Sequence, residues 1–289
     1  MKNNICMVGS GVVGSATGKG FENIGKDVIF FDVDASRIEN LKKEGFRATT
    51  DFQFAIRDSG IFFLCVPTPD CDQQIDLSII DIATKNLATL CRDKNEYFIV
   101  VVKSTIIPMT TENRIIPIFE KYSGRKVGID FGVCFNPEFL REENPLRDFL
   151  NPDRIVIGQY DQKSGDILYE LYSGFTCPII RTDLRTAEMA KYANNCFYAT
   201  KISFFNEIHM ICQEIGIDSV TIRKIVQMDK YYGIHPWSHG HSFGGKCIPK
   251  DLNALIALVN HGGIHEPTLL KAVRRVNEQI DLVNNGKNT

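Results

Sequence analysis

Short apolar runs punctuate the first half of the chain, and each is followed by a stretch whose apolar positions recur with helical spacing. The runs at 4–8, 27–32, 60–66, 97–102 and 129–135 read as strands, and the segments at 12–25, 35–44, 78–91 and 110–122 as helices. Strands alternating with helices predict a parallel, doubly wound sheet. A further short strand, Arg154–Ile157, extends it. The pattern then changes. From Asp183 to Ile215 neither Pro nor Gly interrupts the chain, and Thr182 or Asp183 suits the cap, so one long helix is expected. Shorter helices near 218–228, 249–261 and 267–284 follow, and the polar tail from Asn284 is expected to fray.

The first strand runs directly into Gly9-Ser10-Gly11-Val12-Val13-Gly14, a helix follows, and the second strand ends in Asp32. This is a dinucleotide fingerprint in the context it requires. Gly9 permits the tight turn, Gly11 lets a pyrophosphate approach, and Gly14 lets the helix pack closely. The amides of the helix N-terminus would hold the phosphate charge. Asp32 would accept bonds from a ribose 2′-OH and repel a 2′-phosphate, so NAD is the expected cofactor. The predicted fold is therefore α/β: a Rossmann-type, mostly parallel sheet over residues 1–182, then an all-helical domain over 183–289 entered by the long helix. A helix of that length often packs against a twin, so a homodimer through it is expected.

Ligands of such sheets bind at the carboxyl ends of the strands. Cys65-Val66-Pro67-Thr68-Pro69, Lys103-Ser104-Thr105 and Asn136-Pro137-Glu138-Phe139 all fall there. Glu138 and Glu142 are four apart and would share a face if helical, where one could handle a proton; they read equally as helix-start carboxylates. Lys191 and Asn195, also four apart, face one way on the long helix. Together they could bind an oxyanion, or belong to a solvated face. Cys247 lies in Phe243-Gly244-Gly245-Lys246-Cys247-Ile248-Pro249-Lys250-Asp251. Pro249 fits the first turn of a helix, so the thiol stands at a helix N-terminus with a cation nearby, which favours the thiolate. A lone cysteine more often is a buried structural one. A nucleotide site in the same chain shifts the balance: NAD with a nucleophilic thiol would carry a primary alcohol through an aldehyde, a thiohemiacetal and a thioester to a carboxylic acid.

Composition narrows the field further. The chain has 289 residues, is 44% hydrophobic and carries a net charge of −2, which argues against nucleic acid or an anionic membrane as partner. No apolar run approaches the length of a membrane span, and the N-terminus shows no signal-peptide pattern. Nine scattered cysteines without a CxxC pair read as reduced thiols in a cytoplasmic protein. His235, His239 and His241 cluster around Trp237, but no metal-binding spacing accompanies them. They are read as a polar loop, and no metal is expected.

Taken together the motifs resemble the nucleotide-sugar dehydrogenases of the UDP-glucose and GDP-mannose branch. The matched stretches are GSGVVG, CVPTP, KST, NPEFLRE, PDRIVIG, AEMAKYANNCFYATKISFFNE and FGGKCIPKD, in family order and over almost the whole chain. The resemblance implies Cys247 as the nucleophile, and Lys191 with Asn195 as stabilisers of an oxyanion at the sugar C6. It implies Asp251 as a group that activates water or orients the lysine, Glu138 in acid/base work and thioester hydrolysis, and Thr105 as holder of a catalytic water. Val12, Val13, Val66, Pro67, Thr68, Ser104, Glu142 and Lys250 would join Gly9, Gly11, Gly14, Asp32 and Thr105 around NAD. Phe139, Leu140, Phe243, Gly244 and Gly245 would join Glu138, Lys191, Asn195 and Cys247 at the substrate. A nucleotide sugar, first of all UDP-glucose, is the implied substrate, with another sugar such as GDP-mannose, a smaller alcohol, or a non-catalytic NAD-binding oligomer as alternatives. Family members usually continue into a third, UDP-binding domain that this sequence is expected to lack. They also place an arginine where Tyr231 stands, beside Lys230, and a glycine where Ser242 stands.

Overall fold

A computed structural model describes residues 4–71, 74–141, 143–229, 241–245, 247–261 and 266–285. The chain divides into two compact units, Met1–Pro69 with Asp76–Lys191, and Asp70–Ile75 with Tyr192–Thr289.

The first unit is built on eight strands: β1 (Ile5–Val8), β2 (Val28–Phe31), β3 (Ala48–Thr49), β4 (Ile61–Leu64), then, beyond a small hairpin of the other unit formed by β5 (Asp70–Cys71) and β6 (Gln74–Ile75), β7 (Phe98–Val102), β8 (Phe131–Phe135), β9 (Ile155–Gln159) and β10 (Ile179–Asp183). Their order across the sheet is β10-β9-β8-β7-β4-β1-β2-β3. All neighbours are parallel except β8 and β9, which pair antiparallel through Cys134↔Gln159 and Phe135↔Gly158. The helices are α1 (Val12–Asn23), α2 (Ala35–Lys43), α3 (Phe52–Arg57), α4 (Ser78–Leu90), a π-helical turn Thr111–Ile115 continuing into α5 (Ile116–Ser123), α6 (Pro145–Leu150), α7 (Gln162–Leu171) and the first turns of α8 (Leu184–Ile215).

Alternation along each strand sorts side chains to two faces. In β4, Ile61 and Phe63 join Phe21, Ile38 and Phe149 of α1, α2 and α6, while Phe62 and Leu64 join Ala55, Leu87 and Phe119 of α3, α4 and α5. Both faces are covered, so the strands read as unbroken apolar runs and their backbone bonds are shielded from water. Aspartates cap several helices: Asp34 accepts from Ser36 N at 2.9 Å, Asp51 from Phe54 N at 3.0 Å, and Asp161 from Ser164 N at 2.8 Å. Asp183 likewise accepts from Thr186 N at 2.9 Å and Thr186 Oγ1 at 2.7 Å, which starts α8 at Leu184.

The second unit contains the β5–β6 hairpin, the rest of α8, α9 (Ser219–Gln227), α10 (Ile248–His261) and α11 (Thr268–Asn285). Its core is Cys196, Ala199, Phe243, Leu252, Ile256 and Val273, with β6 against α10. Among the described residues no helix is long and apolar enough to cross a membrane. No disulfide forms: Cys6, Cys65, Cys91, Cys134, Cys196 and Cys212 are buried, Cys177 is half-buried, and Cys71 and Cys247 are exposed.

Candidate active site

In the first unit the site is assembled where β1, β4, β7 and β8 end. Gly9 turns with φ +98°, and a Cβ there would sit 2.7 Å from the Cys65 carbonyl oxygen. A Cβ on Gly14 would lie 1.9 Å from the Gly9 oxygen, so α1 can start this close only with glycine. A Cβ on Gly11 would meet nothing nearer than Arg37 Nη1 at 3.7 Å, so that side of the turn is open. Gly11 is the N-cap of α1 and offers no side chain to its amides. Open space over uncapped amides suits a pyrophosphate. The Asp32 carboxylate is buried, accepting from Ser10 N at 2.7 Å and Asp34 N at 2.9 Å. Arg37 lies 3.4 Å from both Asp32 Oδ2 and Asp34 Oδ2. These groups fit the adenosine half of a dinucleotide. Val12 is exposed at the start of α1, and Val13 is half-buried beside it.

The next loops are cross-tied. Thr68 Oγ1 donates to the Thr105 carbonyl at 2.8 Å, and Ser104 Oγ to the Val66 carbonyl at 2.7 Å. Pro67 is exposed at the tip. Beyond Thr105, the Met109 backbone adopts φ +75°, and buried Glu188 of α8 accepts from Met109 N, Thr111 N and Thr111 Oγ1.

The Asn136–Leu140 segment is not helical, so the helical alternative does not apply to Glu138. Pro137 disfavours helix in the residue before it, and Glu138 Oε2 accepts from Leu140 N at 2.6 Å in a local turn. Glu142 lies outside the described residues. Glu138 Oε1 instead meets Lys191 Nζ at 2.8 Å, with the two side chains 9% and 5% exposed. Burial pushes the Glu138 carboxyl up, but the Lys191 charge and hydrogen bond, the Leu140 amide and the Lys103 charge outweigh it and hold the group below its usual range. Phe139 sits between cations, with Arg154 4.0 Å and Lys191 Nζ 5.7 Å from its ring centre.

In the second unit Asn195 Nδ2 donates to Asp251 Oδ2 at 2.7 Å, and Asn194 Nδ2 to Asn195 Oδ1 at 3.2 Å. Asp251 is buried, and its other oxygen lies 2.9 Å from Lys250 Nζ. Lys250 thus serves Asp251, and Asp251 orients Asn195. Cys247 immediately precedes α10, its carbonyl accepting from Asp251 N at 2.9 Å, and Pro249 occupies the first turn. Gly245 has φ +79°, and a Cβ on Gly244 would meet only open space. Buried Phe243 is held at both backbone groups: its N–H donates to Asn277 Oδ1 at 2.7 Å and its carbonyl accepts from Asn277 Nδ2 at 3.2 Å. Asn206 Nδ2 holds the His241 carbonyl at 3.0 Å. Lys230, Tyr231, His235, Trp237 and His239 lie outside the described residues.

Several contributors escape the sequence reading. Arg37 is visible only as a cation five residues past Asp32. Lys103, Asn136 and Tyr172 form a buried polar cluster whose only linear signals were a Lys and an Asn at strand ends. Asn206 and Asn277 sit on helices far along the chain from the loop they fix.

Residues 3–47 and 42–176 match the NAD binding domain of the UDP-glucose/GDP-mannose dehydrogenase family, and residues 185–279 match its central domain. GDP-mannose 6-dehydrogenase of Pseudomonas syringae pv. tomato is 36% identical over 96% of this chain and 68% of its own length. A UDP-glucose 6-dehydrogenase of Haloferax volcanii is 35% identical over 95% and 69%. Among solved structures, a UDP-glucose dehydrogenase from Pyrobaculum islandicum superposes with a TM-score of 0.90 at 33% identity, covering 96% of this chain and 68% of that one. The chain thus spans about two-thirds of the length of these relatives.

Proposed function

We infer that this chain, which belongs to the UDP-glucose/GDP-mannose dehydrogenase family and binds NAD through its Rossmann-type domain, oxidises the primary alcohol of UDP-glucose to the carboxylate by way of a covalent bond to Cys247. The observation that carries this reading is the exposed Cys247 immediately before α10, behind a turn whose Gly245 has a positive φ. NAD, when bound, supplies the two-electron acceptor for each of the two oxidations.

The chain's own residues do the rest. Gly9, Gly11 and Gly14 admit the pyrophosphate to the α1 amides, Val12 and Val13 flank it, and Asp32 takes the ribose. Val66, Pro67, Thr68, Ser104 and Thr105 form the nicotinamide side. Lys191 and Asn195 stabilise negative charge on the oxygen of the carbon being oxidised, Asn195 being held for this by Asp251. The Cys247 sulfur adds to the aldehyde carbon, giving a thiohemiacetal, and loss of two electrons from it leaves a thioester. Water attacks the thioester carbonyl, the carbon–sulfur bond breaks, and the thiolate returns with the carboxylate product. Glu138, kept ionised by Lys191, handles the water's proton. The balance is one alcohol and one water consumed, with two NAD reduced. The family resemblance assigns Phe139 and Leu140 of the first unit, and Phe243 and Gly244 of the second, to the substrate.

The 340 nm endpoint with limiting UDP-glucose and excess NAD tests this reading: two NADH per sugar are expected, and none from Cys247→Ala beyond the aldehyde stage. Persistent acid formation by Cys247→Ala would overturn it. GDP-mannose is the second reading, favoured by the relatives at 36–38% identity that carry that name; a substrate panel separates the two. We further propose a homodimer, because Phe197, Phe204, Ile211 and Ile215 of α8 are exposed at spacings of seven, seven and four residues along one stripe.

A further inference from the structure

Lys103 immediately follows β7 and is buried, with 4% exposed. Its ammonium makes no bond to a carboxylate among the described contacts; it donates to Asn136 Oδ1 at 2.8 Å and to the Asn136 carbonyl at 3.2 Å. The same Asn136 Oδ1 accepts from Tyr172 OH at 2.7 Å, and Asn136 Nδ2 donates to the Val156 carbonyl at 2.8 Å. Asn136 is therefore gripped from β7, from the start of β9 and from the end of α7, two residues before Glu138. A buried ammonium is expensive to desolvate, and an apolar side chain of similar length would stabilise the fold better. Its retention calls for a reason outside stability.

The charges around it supply one. Lys103 faces Glu138 and Lys191, with the Cys65 thiol and Tyr172 hydroxyl as the remaining titratable neighbours. Both ammonium groups act electrostatically on the Glu138 carboxylate, but only Lys191 bonds it. Among Lys103, Lys191 and Glu138 one positive charge is in excess.

We propose that Lys103 is a positioning residue for the oxidation described above: it locks the Asn136–Glu138 segment so that the carboxylate meets Lys191, and it leaves an uncompensated positive charge beside the place where the substrate becomes anionic. Burial draws the Lys103 ammonium down to about 8, Lys191 adding to the effect while Cys65 and Glu138 oppose it, so the group still carries its charge at neutral pH. The inference rests on the dehydrogenase reading for its kinetic half and on the geometry alone for its positional half.

The test is a double-mutant cycle on Lys103→Met and Glu138→Gln, read in turnover and in urea unfolding. Lys103→Met is expected to unfold at an unchanged or higher urea midpoint, to keep KM for NAD within about twofold, and to lose about 10- to 100-fold in kcat. Added to Glu138→Gln it is expected to cost little more, because both act through one carboxylate. Lys103→Gln keeps a donor for Asn136 without the charge and is expected to fall between; it replaces the Met variant in the cycle if that variant does not fold. A kcat loss under about threefold, or losses that multiply in the double variant, overturns the proposal. The unfolding arm needs no substrate. If wild type oxidises no nucleotide sugar, the functional reading fails, while non-additive unfolding constants uphold the link to Glu138 and additive ones refute it.

Discussion

Replacing Lys191 by Met removes one partner of a buried ion pair whose atoms are 2.8 Å apart. In the native chain the Glu138 carboxyl is held below its usual range, although burial alone would raise it. Lys191 supplies both the largest opposing charge and a hydrogen bond; without it, the Leu140 amide and the Lys103 charge remain against the full desolvation. The carboxyl of the variant therefore moves up from its native position. Breaking a buried pair costs roughly 3–5 kcal/mol, and with Lys103 still facing the carboxylate about 3 kcal/mol is expected at neutral pH, or on the order of 100-fold in the unfolding constant. The sign of the pH dependence follows by linkage. A depressed carboxyl contributes stability that is present above its unfolded value and is lost as pH falls through the folded one. A raised carboxyl contributes stability that is present below the unfolded value and is lost as pH rises through the folded one. The gap between native chain and variant should thus be smallest in acid, below the folded value of the native carboxyl, and widen as pH rises to 7.5. Urea unfolding at a series of pH values, followed by far-UV circular dichroism, reads it directly. A gap that stays constant across that range would refute the assignment of the Glu138 state to Lys191.

Three further outcomes are expected. Gly14→Ala and Gly20→Ala both place a Cβ 1.9 Å from another atom, the first against the Gly9 carbonyl and the second against the Phe149 ring; isothermal titration should show the first losing at least about tenfold in NAD affinity and the second almost none, since a ring can shift where the phosphate turn cannot. Asp32→Ala should shrink the preference for NAD over NADP by about tenfold or more in kcat/KM, because the carboxylate that repels a 2′-phosphate is gone; an unchanged ratio would assign selectivity elsewhere. Phe204→Glu should convert the proposed dimer to monomer in light scattering behind size exclusion, and an unaltered mass would remove the α8 stripe from the interface.

Much of this architecture is readable in one dimension because the physics that makes it is local. Ile61-Phe62-Phe63-Leu64 is apolar throughout since both faces of β4 are covered, and no surface segment would hold such a run. The glycine turn is legible because a Cβ at Gly9 or Gly14 collides with backbone. Less visible is whatever depends on partners. Ile179–Asp183 was missed as a strand: Arg181 and Thr182 break its apolar character, and it is half exposed at the sheet edge. The antiparallel entry of β9 leaves no mark on Ile155–Gln159, since strand direction is a property of the pair. Helix α7 escaped notice, though Asp161 and Ser164 form its capping box. The polar–hydrophobic pattern could not distinguish the π-helical turn at Thr111–Ile115 from the start of an ordinary helix. In the candidate site, Lys191 and Glu138 are each legible but their pairing is not, because they meet across 53 residues of sequence. The role of Lys103 is not legible, since nothing in a linear sequence says that a lysine just past a strand is buried.

The distribution of the nine thiols has a use in chemical biology. Burial pushes Cys65, Cys91, Cys134 and Cys196 up to about 12, and Cys6 higher still, so that at neutral pH these sulfurs are both shielded and un-ionised. A mild electrophile therefore meets chiefly Cys71 and Cys247. With Cys71→Ser and half-buried Cys177→Ser, the chain becomes an almost single-site target: a chloroacetamide or a fluorescent maleimide would count occupied sites, carry a reporter to α10, or serve as the first hit for a covalent inhibitor.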